Sequence, residues 1–152
     1  MNKNNIATFT LVTVAAPALI LLNAGLASAG PCTQWGFAGQ TQFNQSNGWT
    51  LFFESTGAKA QGRASAVGSA PGGFRMVGVN PEDIPGMHGN IDGGVDGYVL
   101  NVTARWDGGS VGRYEGSVDA NGFAHGVTYD ARDPSSTAKW DSNGPLQCVT
   151  PS

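Results

Sequence analysis

The chain has 152 residues, a formal charge of −3 and only 12% charged side chains. That length fits one domain. The mild acidity argues against nucleic acid, which asks for a basic face, and against a polybasic membrane-surface site.

Residues 1–29 read apart from the rest. Lys3 sits in a short polar start, residues 6–22 form an apolar run broken by threonines and Pro17, and Ala27-Ser28-Ala29 is a small-residue cleavage site. These are the three parts of a helical secretory signal peptide. The run approaches the length of a membrane span, about 17–25 residues, but Pro17 interrupts it. The expectation is cleavage after Ala29, a single secreted domain over residues 30–152, and no membrane attachment afterwards. Pro31 before Cys32 argues against a lipoprotein signal. Lys3 is the leader's one charge, so its loss moves the formal charge from −3 to −4. About 120 residues then fold, enough to bury about two thirds of the unfolded surface.

Cys32 and Cys148 stand just inside the two ends of that domain. An exported chain with two cysteines is expected to pair them. A bridge closing so long a loop contributes roughly 4–5 kcal/mol in the chain-entropy model.

Residues 33–43 read as a first strand, and residues 44–48 as a turn. Residues 49–55 make a second strand with Trp49, Leu51 and Phe53 on one face. After a turn at 56–59, residues 60–67 form a third strand of small side chains. Residues 68–85 are dense in Gly and Pro and read as loop, with a short strand at 74–79. Residues 87–91 read as an edge strand that ends at Asp92-Gly93-Gly94. Next comes the clearest stretch. Tyr98, Leu100, Val102, Ala104 and Trp106 alternate with Val99, Asn101, Thr103 and Arg105, the period of a half-buried strand. Turns at 107–110 and 119–122 lead to strands at 111–118 and 123–129. The chain holds 23 glycines, about twice the average share of roughly 7%. They lack collagen spacing, so turns and close-packed strands account for them.

Thr103-Ala104-Arg105-Trp106-Asp107 echoes in Thr137-Ala138-Lys139-Trp140-Asp141. Each reads as a strand whose Trp fills one end of the fold and whose Asp opens a turn. A bolder reading makes the two tryptophans a paired binding rim.

Candidate chemistry is sparse. Gly108-Gly109-Ser110-Val111-Gly112 matches a nucleophile-elbow pattern, with His125 and Asp130 downstream. That elbow needs a helix after the serine, and here a strand follows. Ser110 therefore reads as the end of a hairpin turn, and no catalytic constellation is assigned. His88 and His125 belong to no metal motif, and His125 reads as a partly buried structural residue. Asp119-x-Asn121-Gly122 resembles the start of a calcium loop but lacks the further ligands and the closing Glu. Tyr129-x-x-x-Asp133 matches a specialised export tail, which works on helices that this chain lacks. Asn44 and Asn101 begin formal glycosylation sequons. No metal site, cofactor motif or phosphate loop stands out.

Cys32-Thr33-Gln34-Trp35, Asn47-Gly48-Trp49, the hairpin from Arg105-Trp106-Asp107 to Gly116, Gly122-Phe123 with Thr128-Tyr129-Asp130, and the closing Trp140-Asp141 to Cys148 form a familiar set. The set resembles uncharacterised small secreted proteins of actinobacteria of the mycobacterial type. The resemblance implies export and a compact β domain, and transfers no catalytic residue.

The residues point to an all-β domain of about eight antiparallel strands, curled into a small barrel or a β-sandwich. Two functional expectations lead: a non-enzymatic secreted or cell-envelope protein acting on an envelope or host partner, and a binder of a small apolar ligand. The second would hold its ligand in a barrel mouth lined by Trp49, Phe53, Trp106 and Tyr114. A small hydrolase ranks last. A filled interior with an exposed apolar patch favours the first reading, and a drug-sized cavity the second.

Overall fold

The computed structural model describes residues 31–68 and 80–149. The expected leader and the expected strand at 74–79 lie outside the described residues.

The strands are β1 (Trp35–Gln45), β2 (Thr50–Gly57), β3 (Lys59–Val67), β4 (Met87–Asp96), β5 (Val99–Trp106), β6 (Val111–Val118), β7 (Ala124–Asp130), β8 (Asp133–Ser142) and β9 (Gln147–Cys148). Each of β1 to β7 pairs antiparallel with its successor. β1 also pairs with β8, so the first eight strands close into an up-and-down barrel. Closure leaves that ring no exposed edge. β1 serves three partners along its length: β2 from Phe37 to Asn44, β8 from Phe43 to Gln45, and β9 at Trp35 and Gly36.

Eight strands leave an interior that side chains just fill, or that takes one small ligand. Here aromatic rings fill the middle. Phe37 and Phe43 both meet Phe53 edge-on, at centroid distances of 5.2 and 5.5 Å. Phe43 stacks on Trp140 at 4.3 Å. Leu51, Ile91, Leu100, Val102 and Ala104 complete the layer. Trp35 and Trp140 bury their indole N–H groups with no acceptor among the described residues.

Four corrections to the sequence reading have physical causes. First, Asp92-Gly93-Gly94 is not a turn but lies inside β4, which pairs on both sides and is no edge. Gly93 has φ +118°, and a Cβ there would strike the Asn101 carbonyl of β5. The glycine permits close strand approach; the reversal comes at Gly97. Second, Asp141 opens no turn. It is paired to Asn44 and His125, and β8 runs on to Ser142. Third, Trp140 sits in the middle of the core rather than at its end. Fourth, β1 extends through Asn44 and Gln45, because β8 supplies partners there.

The two barrel ends differ. One is sealed. The Cys32–Cys148 disulfide, with Cα atoms 5.7 Å apart, ties the entering chain to β9. Trp35 and Leu146 close the interior beneath it. Gln34 pins the seal: its Nε2 donates to the Trp35 and Val95 carbonyls, and its Oε1 accepts from Gly97 N–H at 2.9 Å. Tyr98 donates its hydroxyl to the Cys32 carbonyl. Asp119 caps the β6–β7 turn by accepting from Asn121 and Phe123 N–H at 2.8 and 3.0 Å.

The connection from β3 to β4 docks on the outer wall. Its described part carries a 3-10 helix at Pro81–Asp83, capped by the Asn80 side chain. Phe52, Ser65 and Ile84 are fully buried there although Phe52 and Ser65 point away from the barrel interior. Ser65 donates to the Pro81 carbonyl and lies 3.1 Å from His88 Nδ1.

Candidate binding site at the open mouth

At the end opposite the disulfide, strand ends and hairpin turns surround a cavity of about 190 Å³. Its position follows from the topology. The turns after β1, β5 and β7 and the start of β4 all reach this end.

Trp49 is placed by the β1–β2 turn. Gln45 N–H donates to the Trp49 carbonyl at 2.8 Å, and Asn47 Oδ1 accepts from Trp49 N–H at 3.2 Å. The indole lies against Gly68, where a Cβ would come within 2.9 Å of the ring. Trp106 ends β5. Its N–H donates to the Ser110 carbonyl at 3.0 Å and its own carbonyl accepts from Gly109 N–H at 2.8 Å. Its indole nitrogen lies beside Gly112, 3.5 Å from where a Cβ would stand. Both residues line the cavity.

Tyr114 forms part of the wall near the core. Gln45 Nε2 donates to its hydroxyl at 2.8 Å. Burial pushes its pKa far above the ordinary phenol value, against smaller opposing effects of hydrogen bonds with Thr128 and Gln45. The phenol therefore stays protonated throughout the ordinary pH range. Asp130 stands at the end of β7, beside a register shift between Tyr129 and Asp130. Such irregularities re-aim side chains at barrel rims. Asp130 Oδ1 accepts from Arg132 N–H at 2.8 Å.

Three of the four residues expected to bind a ligand thus meet in one cavity: Trp49, Trp106 and Tyr114. Phe53 does not join them. It is fully buried between Phe37 and Phe43, inside the aromatic core. Sequence reasoning missed the polar lining: Gln45, Asn47, Thr128, Asp130 and Ser136. Thr128 and Asp130 share the period-two phase of Ala124, which marks the inner face of β7. That signal was available. Gln45 ends, and Asn47 follows, a strand whose last residue only β8 pairs.

The nucleophile pattern does not assemble. Ser110 and Asp130 both line the mouth, but His125 is exposed on the outer wall, with Nε2 3.5 Å from Ser117 Oγ. His125 pairs with Ser117 and Asp141, well along the strands from the mouth. It is therefore not the partly buried histidine that alternation implied. Among the described residues, no group of three His, Cys, Asp or Glu side chains converges as a metal site. A shallower dish of about 520 Å³ lies over β6, β7 and β8 near His125 and Val127. Its charged side chains carry both signs, Glu115 and Asp141 against Lys139.

No family model, curated protein or solved structure matches the chain.

Proposed function

We propose that this is an exported, non-enzymatic binding protein whose recognition surface is the open barrel mouth. One observation carries the reading. The barrel is sealed and disulfide-bonded at one end, while at the other, among the described residues, the half-buried Trp49 indole and the largely buried Trp106 indole converge with hydroxyl, amide and carboxylate groups. A few polar groups placed among aromatics in a concavity are the usual make-up of a binding site. A disulfide joining the ends of a small domain fits an oxidising, extracellular setting. The signal-peptide pattern and the resemblance to secreted actinobacterial proteins support the same compartment. The filled interior argues against a large apolar guest, because drug-sized pockets run to about 300–1,000 Å³. Ser110, His125 and Asp130 of the nucleophile pattern do not meet, and Ser65 beside His88 is fully buried with its hydroxyl given to the Pro81 carbonyl.

Native mass spectrometry of protein purified from its host's culture medium tests this reading. The expected species begins at Gly30, lacks free thiol and carries a non-covalent adduct. Recovery of only unprocessed chain in the cell pellet, or turnover of esters that Ser110→Ala abolishes, contradicts it.

A further inference from the structure

Resting on the mouth as the binding surface, we infer that its ligand is a single pyranose ring: neutral, rich in hydroxyls, with one apolar C–H face. Size comes first. A cavity of about 150 Å³ takes a benzene ring, and the mouth holds about 190 Å³. One six-membered ring fits; an acyl chain or a steroid does not.

Charge comes second. Among the described residues, Asp130 is the one ionisable Asp, Glu, Lys, Arg or His side chain in the lining. A phosphate or carboxylate ligand would meet that carboxylate inside the cavity, whereas the Arg132 guanidinium reaches over Gly109 at the rim and is not part of the described lining. The ligand is therefore neutral or cationic.

Hydrogen bonding decides between those two. Gln45, Asn47, Ser110, Thr128, Asp130 and Ser136 all face the same small space. A quaternary ammonium, which the tryptophans alone would suit, has no hydrogen-bond donor or acceptor. It would strip water from these groups and return nothing. A sugar returns a partner to each. The acceptors are in place. Asp130 has Oδ1 engaged by Arg132 N–H, which leaves Oδ2 for a ligand hydroxyl. Gln45 spends Nε2 on Tyr114, which leaves Oε1. The Trp106 indole N–H, beside Gly112, is a donor to a ring or hydroxyl oxygen. Trp49 at the rim offers an indole to the C–H face.

The test is a nitrogen-15 NMR titration of the protein expressed with its own leader and purified with its disulfide intact. Glucose, galactose and N-acetylglucosamine are the probes, with tetramethylammonium and toluene as counter-probes. At least one sugar should shift the Trp49 and Trp106 indole signals saturably and leave Trp35 unmoved. The expected Kd is on the order of 1 mM for a ligand of this size. Asp130→Ala should weaken binding about tenfold, the effect of one charged hydrogen bond. Exposed Ser136→Ala gives a second, smaller loss with no risk to folding. No indole shift with any sugar, or shifts indifferent to both substitutions, overturns the inference. Shifts with tetramethylammonium or toluene alone overturn it too, yet leave the mouth as a binding surface. A silent titration together with no adduct in the medium-purified protein removes both readings.

Discussion

Gly116 and Gly126 face each other across β6 and β7, and Gly126 pairs with Trp140 of β8. The missing side chain of Gly116 makes room for the indole, and that of Gly126 lets β6 approach, since a Cβ there would strike the Glu115 carbonyl. A Cβ on Gly116 would fall 2.8 Å from Trp140 Cζ2 and would also strike the His125 carbonyl. The Trp140 ring in turn stacks on Phe43. Overpacking of this kind costs about 1–3 kcal/mol. Gly116→Ala should therefore lower unfolding free energy by about 2 kcal/mol in urea titration. Gly144→Ala, where a Cβ meets nothing within 4 Å, should stay within about 0.5 kcal/mol. Equal effects at the two sites would contradict the packing account. The abundance of glycine was legible in the sequence, but not which glycines make room for a ring. Alternation puts Gly116 in phase with Tyr114 and Val118, and only pairing brings Trp140 over it.

At the scale of elements, Arg63 on β3 joins two segments distant in sequence. Its Nε donates to Glu82 Oε1 at 2.9 Å, and its two terminal nitrogens donate to the Asp107 carboxylate at 3.2 and 2.9 Å. The docked 3-10 helix is thereby tied to the β5–β6 turn that carries Trp106 and Ser110. The Arg63 hydrogen bonds hold Asp107 below its ordinary pKa of 3.8, and His88 adds to the effect. A depressed carboxyl favours the folded state above its unfolded pKa. That contribution is lost as pH falls through the folded value. Both groups are well exposed, so solvent screening keeps the contribution small. An NMR pH titration should place the Asp107 midpoint below 3.8 and move it up in Arg63→Met. An unchanged midpoint would show that the pair does not persist in solution. Most strands were legible from period two, since β5, β6 and β7 each keep one face in the core. β4 was cut short because Gly93 and Gly94 look like a turn when their neighbours are unknown. The first half of β8, at 133–136, has exposed side chains throughout and so carries no alternation to read.

For the whole molecule, what matters is closure and polarity between the two ends. Three residue pairs between β1 and β8 convert an open meander into a barrel. Nothing local in the sequence marks such a contact, which is why barrel and sandwich stood as alternatives. The disulfide was legible because there were only two cysteines to join. Its place opposite the mouth was not, since that depends on which end of the barrel each turn reaches. Half of the candidate site followed from aromatic residues, and the polar half from topology.

Hydrogen exchange of the four tryptophan indole N–H groups, followed by NMR in the disulfide-bonded protein, tests this arrangement most directly. The account predicts two classes. Trp35 beneath the seal and Trp140 in the core, whose indole nitrogens are buried, should exchange only on global unfolding, whereas Trp49 and Trp106 at the mouth should exchange faster, half-buried Trp49 with little protection and largely buried Trp106 with more. Four equally protected indoles would mean that the mouth is closed, and rapid exchange at Trp140 would mean that the interior is not filled. Either result contradicts a barrel sealed at one end and open at the other.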